Sequence, residues 1–180
     1  RLLPVRRPPF IRQMVNLDAM YENMHEKFQF RGMDNPDANL NEDYRGFAQN
    51  HRSTFTTLAD ALIEAGDSTR AKSTLDYALE VLPRKSLPWD ISSVGFVSSY
   101  MEIGEIEKAR TLAMEIAREF DSMVGYHLDK KRLDNDFRKY SSGLQYLEVV
   151  MNQYGFEAER DTISNMIINH GLRTPDRRNF

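Results

Sequence analysis

A chain of 180 residues with 41% hydrophobic and 28% charged residues is long enough to bury a sizeable core without help from metal or disulfide. It contains no cysteine, which excludes a disulfide scaffold, a zinc ribbon, a thiol nucleophile and an iron–sulfur cluster. Its 24 Lys and Arg against 27 Asp and Glu give a net charge of −3, no global footprint for nucleic acid, and no apolar run reaches the roughly 18 residues that would cross a bilayer. The opening RLLPVRRPPF also lacks the apolar stretch of a signal peptide. A start at Arg1 rather than Met reads as a piece of a longer protein.

Residues 1–15 are expected to be an extended basic lead-in, because Pro4, Pro8 and Pro9 disfavour a helix and Arg1, Arg6, Arg7 and Arg12 stand there without an acid. Leu17, Met20, Tyr21, Met24 and Phe28 then recur at helical spacing and predict a first helix over 17–29. After the turn-rich DNPDANLNED, a longer helix from Tyr44 ends at Gly66, and Asp67 is placed to cap the next one, which runs over 68–82 to Pro83. Beyond the linker PRKSLPWD a helix leads to Gly104, and Ile106 to Phe120 forms another. Residues 122–140 are read as a weaker helix, since Gly125 and the charged DKKRLDND interrupt its apolar pattern. Ser141 opens a helix reaching Gly155, and a last one runs from Ala158 to about Asn169. No stretch alternates with period two, so the fold expected is all-α, a single repeat domain over 16–172 followed by a basic tail over 173–180.

Gly66, Gly104 and Gly155 each separate two amphipathic helices, the outline of a helical-hairpin repeat with hairpins near 44–83, 91–120 and 141–170. In the first, Phe55, Leu58, Ala59, Leu62, Gly66, Ala71, Leu75, Ala78 and Pro83 place large residues, small crossing residues, a turn glycine and a terminal proline at the spacings of a tetratricopeptide repeat, which this unit resembles. The second keeps Phe96, Val97, Tyr100, Gly104, Ala109, Ala113 and Ile116 but has Asp121 where proline would fall. In the third, Arg160 replaces an expected small residue, and the unit reads as degenerate or capping. The glycines stand 38 residues apart (66 to 104) and then 51 (104 to 155), against 34 in a regular array, so an irregular short superhelix of antiparallel hairpins is expected.

The order of LLPV at 2–5, VNLDAMYENMHEKFQFRGM at 15–33, NEDYRGFAQNHRSTFTTLADALIEAG at 41–66 and LPWD at 87–90 resembles the C-terminal soluble region of a bacterial family of multi-pass membrane proteins of unknown function. The membrane part of that family looks like a type-C, protein O-mannosyltransferase-like glycosyltransferase. The resemblance implies that residue 1 follows a membrane helix and that any catalytic residues lie outside this chain. It makes anionic lipid headgroups one expected partner of Arg1, Arg6, Arg7 and Arg12, with arginines that are merely solvated in a Pro-rich tail as the equal alternative. Sidedness is read two ways: the arginines favour the cytoplasm, whereas enzymes of this type generally act on the outer face, and the periplasm is preferred.

Chemistry is sparse in what remains. His25, His51, His127 and His170 form no ligand pair; His51 on an apolar face reads as a core histidine, and His25 beside Glu22 and Glu26 as a surface pair. Asp37, Asn39, Asn41 and Asp43 resemble half a calcium loop, but Glu42 and Ala48 occupy the positions that need glycine and a bidentate glutamate, so a capping turn is expected. Nucleotide and hydrolase motifs are absent, Ser92 with Ser93 and Ser141 with Ser142 read as helix starts, and Arg173, Arg177 and Arg178 as a short basic tail. No cofactor, metal or nucleic acid is expected, and the chain reads as a non-enzymatic interaction module.

Its expected partner surface is an inner groove of first-helix residues, Thr56, Asp60 and Glu64 from one hairpin and Ser98, Met101 and Glu102 from the next, with Trp89 in the linker as a contact anchor or a plug for the joint. The acids suit a cationic or apolar segment of a protein or peptide, or of the membrane part of the parent chain; solvated acids are the plain alternative. An acceptor-presenting carbohydrate- or peptide-binding module is the competing function, and it calls for an exposed platform from Trp89, Tyr100 and Tyr126.

Overall fold

A computed structural model describes residues 16–33, 35 and 42–173. Among them the chain is all-helical, with seven α-helices and no strand. They are α1 (Leu17–Glu22), α2 (Glu42–Glu64), α3 (Ser68–Val81), α4 (Ser93–Glu102), α5 (Ile106–Asp129), α6 (Asn135–Gln153) and α7 (Glu157–Asn169). The first widens into a π-helical turn over Asn23–Lys27. No described helix is long and apolar enough to cross a membrane. The lead-in arginines, Asp37, Asn39, Asn41, Arg177 and Arg178 lie outside the described residues.

Two compact units are present, one of residues up to Pro88 with Glu102–Glu105, the other of Trp89–Met101 with Ile106 onward. In the first, α2 packs along α3 and α1 lies against α2. The repeat signature supplies the core there: Phe55, Leu58, Ala59, Leu62, Ala71, Leu75 and Ala78 are all buried. Small residues let the two helix backbones approach, while the leucines and Phe55 fill the space on either side. In the second unit α6 packs on both α5 and α7, and Phe96, Val97, Tyr100, Ala109, Ala113, Ile116, Leu147, Met151 and Ile167 are buried.

The hairpin turns follow from backbone chemistry. Gly66 takes φ +80°, its N–H donates to Ile63 O (2.9 Å), and the Asp67 N–H reaches Leu62 O (2.8 Å). This closes α2 with a Schellman motif, for which a residue without Cβ is suited. Asp67 then caps α3 by accepting from the Arg70 N–H at 3.0 Å, as its position predicts. The same pattern recurs at Gly155, with φ +77°, where Gly155 and Phe156 donate to Asn152 O and Met151 O.

The stretch 122–140 departs from expectation. It is not a helix of its own: α5 runs through Gly125 to Asp129, and α6 already begins at Asn135. The break sits in the charged run, where Lys131 adopts φ +53° and donates to Leu128 O, Arg132 donates to His127 O, and Asp134 caps α6 through the Phe137 N–H. A lysine in the left-handed turn hides a C-terminus that glycine would have advertised. Ser141 is therefore an interior residue, its hydroxyl donating to Phe137 O at 2.7 Å, and Asp121 needs no proline beside it because the helix does not end there. At the other serine pair the expectation holds, for α4 starts at Ser93 and the Ser92 N–H donates to Asp90 Oδ1 at 2.7 Å.

Candidate functional site

Thr56, Asp60 and Glu64 are spaced by four along α2, which aligns them on one face of a helix with 3.6 residues per turn. Within the same unit Glu102, the last residue of α4, joins them. Partial burial holds the Glu102 carboxyl above the usual range, and the charges of Asp60 and Glu64 push it the same way. Three carboxylates thus share one field. The Thr56 hydroxyl is occupied locally, donating to Arg52 O at 3.1 Å.

In the second unit the expected contact residues fare differently. Trp89 and Met101 are each only 4% exposed, so neither side chain is presented to a partner, and Ser98 is half-buried. The Trp89 backbone N–H donates to Glu119 Oε1 at 2.9 Å, tying the linker to α5. Tyr100 is also fully buried, whereas Tyr126 is 48% exposed, so two of the three rings needed for a sugar platform lie in the core.

Because Glu102 has a raised folded pKa, folding takes up a proton between its unfolded and folded values, so its contribution to stability declines as pH rises through that window. At neutral pH the whole penalty is present. Glu102→Gln is therefore expected to raise stability at pH 7 by a few tenths of a kcal/mol, discounted for solvent screening, and to leave stability at pH 4 nearly unchanged. Urea midpoints at the two pH values measure it.

Two features escaped the sequence reading. Arg52 is fully buried in the first unit, and its guanidinium donates to Leu82 O (3.1 Å), Leu87 O (2.5 Å) and Pro88 O (2.7 Å). It satisfies the end of α3 and fixes the linker that follows. The available signal was an arginine on the apolar stripe of Ala48, Phe55, Ala59 and Leu62. His25 does more than face a neighbouring glutamate: its ring stacks between Tyr21 (4.1 Å) and Tyr77 (4.8 Å), its Nε2 meets Thr74 Oγ1 at 3.3 Å, and of the two glutamates Glu22 pairs with Lys27 while Glu26 acts on the ring only through its charge.

The other histidines have structural surroundings. His51 meets the edge of Phe30, His127 lies 3.3 Å from the capping Asp134, and His170 lies 2.8 Å from Asp121. Arg160, the misfit of the third hairpin, binds Asp161 and Asn152 at the surface, and Arg173 binds Glu148 and Ser164. Among the described residues no group of three His, Asp or Glu side chains is placed to hold a metal ion. No family model, curated protein or solved structure matches the chain.

Proposed function

We propose that this chain is a non-enzymatic interaction module whose acidic face on α2, completed by Glu102, receives a cationic segment of a protein partner. The observation that carries the reading is the raised Glu102 carboxyl, which partial burial lifts first and the neighbouring charges of Asp60 and Glu64 lift further. Like charges held together cost free energy in the unbound state, and a lysine or arginine side chain laid across them relieves that cost while steering association. Helical-hairpin arrays commonly offer such surfaces, because stacking spends one face of each helix and leaves the other free. Burial of the signature residues within the hairpins supports reading each of them as a tetratricopeptide-like unit.

The order of segments from LLPV to LPWD supports a second element of the proposal, that the partner is the membrane part of a glycosyltransferase-like parent chain, with the present domain in the periplasm. The lead-in arginines would then face anionic headgroups. Capture experiments with the domain as bait test this. Retention of the separately expressed membrane part, lost on charge reversal at Asp60 and Glu102, is the expected result. Retention unchanged by the reversal would remove the acidic face from the interaction, and no retention would remove the parent chain as partner. The acceptor-presenting alternative is weakened by burial of Trp89 and Tyr100, which leaves no three-ring platform for a sugar.

A further inference from the structure

The polypeptide from Leu17 to Lys27 buries a single residue, Met24. Its remaining hold on α3 is made by side-chain contacts that run from the exposed Asp18 to the buried Thr74. Arg70 Nη1 donates to Asp18 Oδ1 at 2.7 Å and its guanidinium lies over the Tyr21 ring, the Tyr21 hydroxyl meets Ser73 Oγ at 3.2 Å, and His25 engages Thr74 and Tyr77. Arg70, Ser73, Thr74 and Tyr77 fall at i, i+3, i+4 and i+7, so α1 is clasped along one stripe of α3. A six-residue helix has no stability of its own, and an element with so little buried apolar surface opens at less cost than the hairpin beneath it. The π-helical turn over Asn23–Lys27 adds to this, because such turns are rare and break the regular ladder.

We propose that α1 with its π-helical turn is a detachable strap on the α2–α3 hairpin, and that protonation of His25 releases it. Both faces of the imidazole are stacked against tyrosine rings and Nε2 meets a hydroxyl, so a second proton enters a partly desolvated ring. Among the described residues the surrounding groups are few. On its own segment Glu26 favours the cation, while Glu22 is engaged by Lys27; α3 offers Thr74, Ser73 and Tyr77, with Arg70 already holding Asp18 and Asp67; from α2, His51 and Phe55 stand behind the Phe30 ring. Burial outweighs Glu26 and holds the imidazole below its ordinary value of 6.5. The clasp is thus at full strength above 6.5 and weakens as pH falls through that value toward the folded one. Release would dismantle the open groove of about 460 Å³ that Met20, Met24 and Phe28 form opposite Thr54. This inference does not depend on the acidic face.

Amide exchange of the full chain at pH 7.5 and 5.5, corrected for intrinsic rates, tests it. Protection of residues 17–27 should fall severalfold relative to α3 on acidification, and His25→Phe, which keeps the stack but cannot be protonated, should keep its protection at both pH values. Protection that is constant or rises in acid, or an equal loss in His25→Phe, would overturn the proposal. The His25 ring proton resonance supplies a check that survives a poorly folded variant: a titration midpoint below 6.5 is expected, and one above it contradicts the strap.

Discussion

Replacing Arg52 with methionine should destabilise the first unit by about 3 kcal/mol or more, because the buried Leu82 and Leu87 carbonyls and the partly buried Pro88 carbonyl lose their donor at once, and each unsatisfied buried acceptor costs about 1–3 kcal/mol. Those acceptors are Leu82 O, Leu87 O and Pro88 O, all within 3.1 Å of the guanidinium. Methionine fills much of the same volume, which separates the loss of hydrogen bonds from the opening of a cavity. Lysine should recover only part of the loss, since an ammonium cannot reproduce the planar fork that reaches three carbonyls from one side chain. Urea unfolding followed by circular dichroism gives the magnitude, and amide exchange shows whether the loss is confined to α2 and α3. Stability of Arg52→Met within about 1 kcal/mol of the parent would show that the linker carbonyls find other donors.

Gly143→Ala reverses an ordinary expectation. In a helix interior this change usually stabilises by about 0.5–1 kcal/mol. Here a Cβ on residue 143 would lie 2.6 Å from Phe120 Cδ2 and closer still to Cε2, and both residues are buried where α6 crosses α5. The Phe120 ring is fully buried, so it has no open space to retreat into, and overpacking of this kind costs about 1–3 kcal/mol. The net result should be a loss of about 1–2 kcal/mol once the helix gain is subtracted. Phe120→Leu in the same chain should recover part of it, giving a favourable coupling energy in a double-mutant cycle. Additive single effects would mean that the two helices part easily at this crossing.

Why some of this was legible in the sequence and some was not follows from which interactions are local. The hairpin α2–α3 could be read almost residue by residue, because Gly66, Asp67 and the apolar stripe each act within one turn of their own position. The boundary between α5 and α6 could not, since Lys131 closes the helix in a conformation that the residue type disfavours. Partners distant in sequence were equally hidden. Arg52 acts on carbonyls 30 to 36 residues away, and His25 on Thr74, 49 residues away. For the expected partner surface, charge spacing placed Asp60 and Glu64 on one face of α2, but burial of Trp89 and Met101 depends on packing that no local pattern carries.

The most direct measurement of the central claim is a fluorescence-anisotropy titration of a labelled peptide of alternating lysine, arginine and apolar residues against the domain and its Asp60→Lys/Glu102→Lys variant, at low and at physiological salt. The acidic-face account predicts saturable binding that weakens about tenfold or more in the variant and falls with salt, as screening of exposed charges requires. Equal affinity for the two proteins, or binding indifferent to salt, would contradict it.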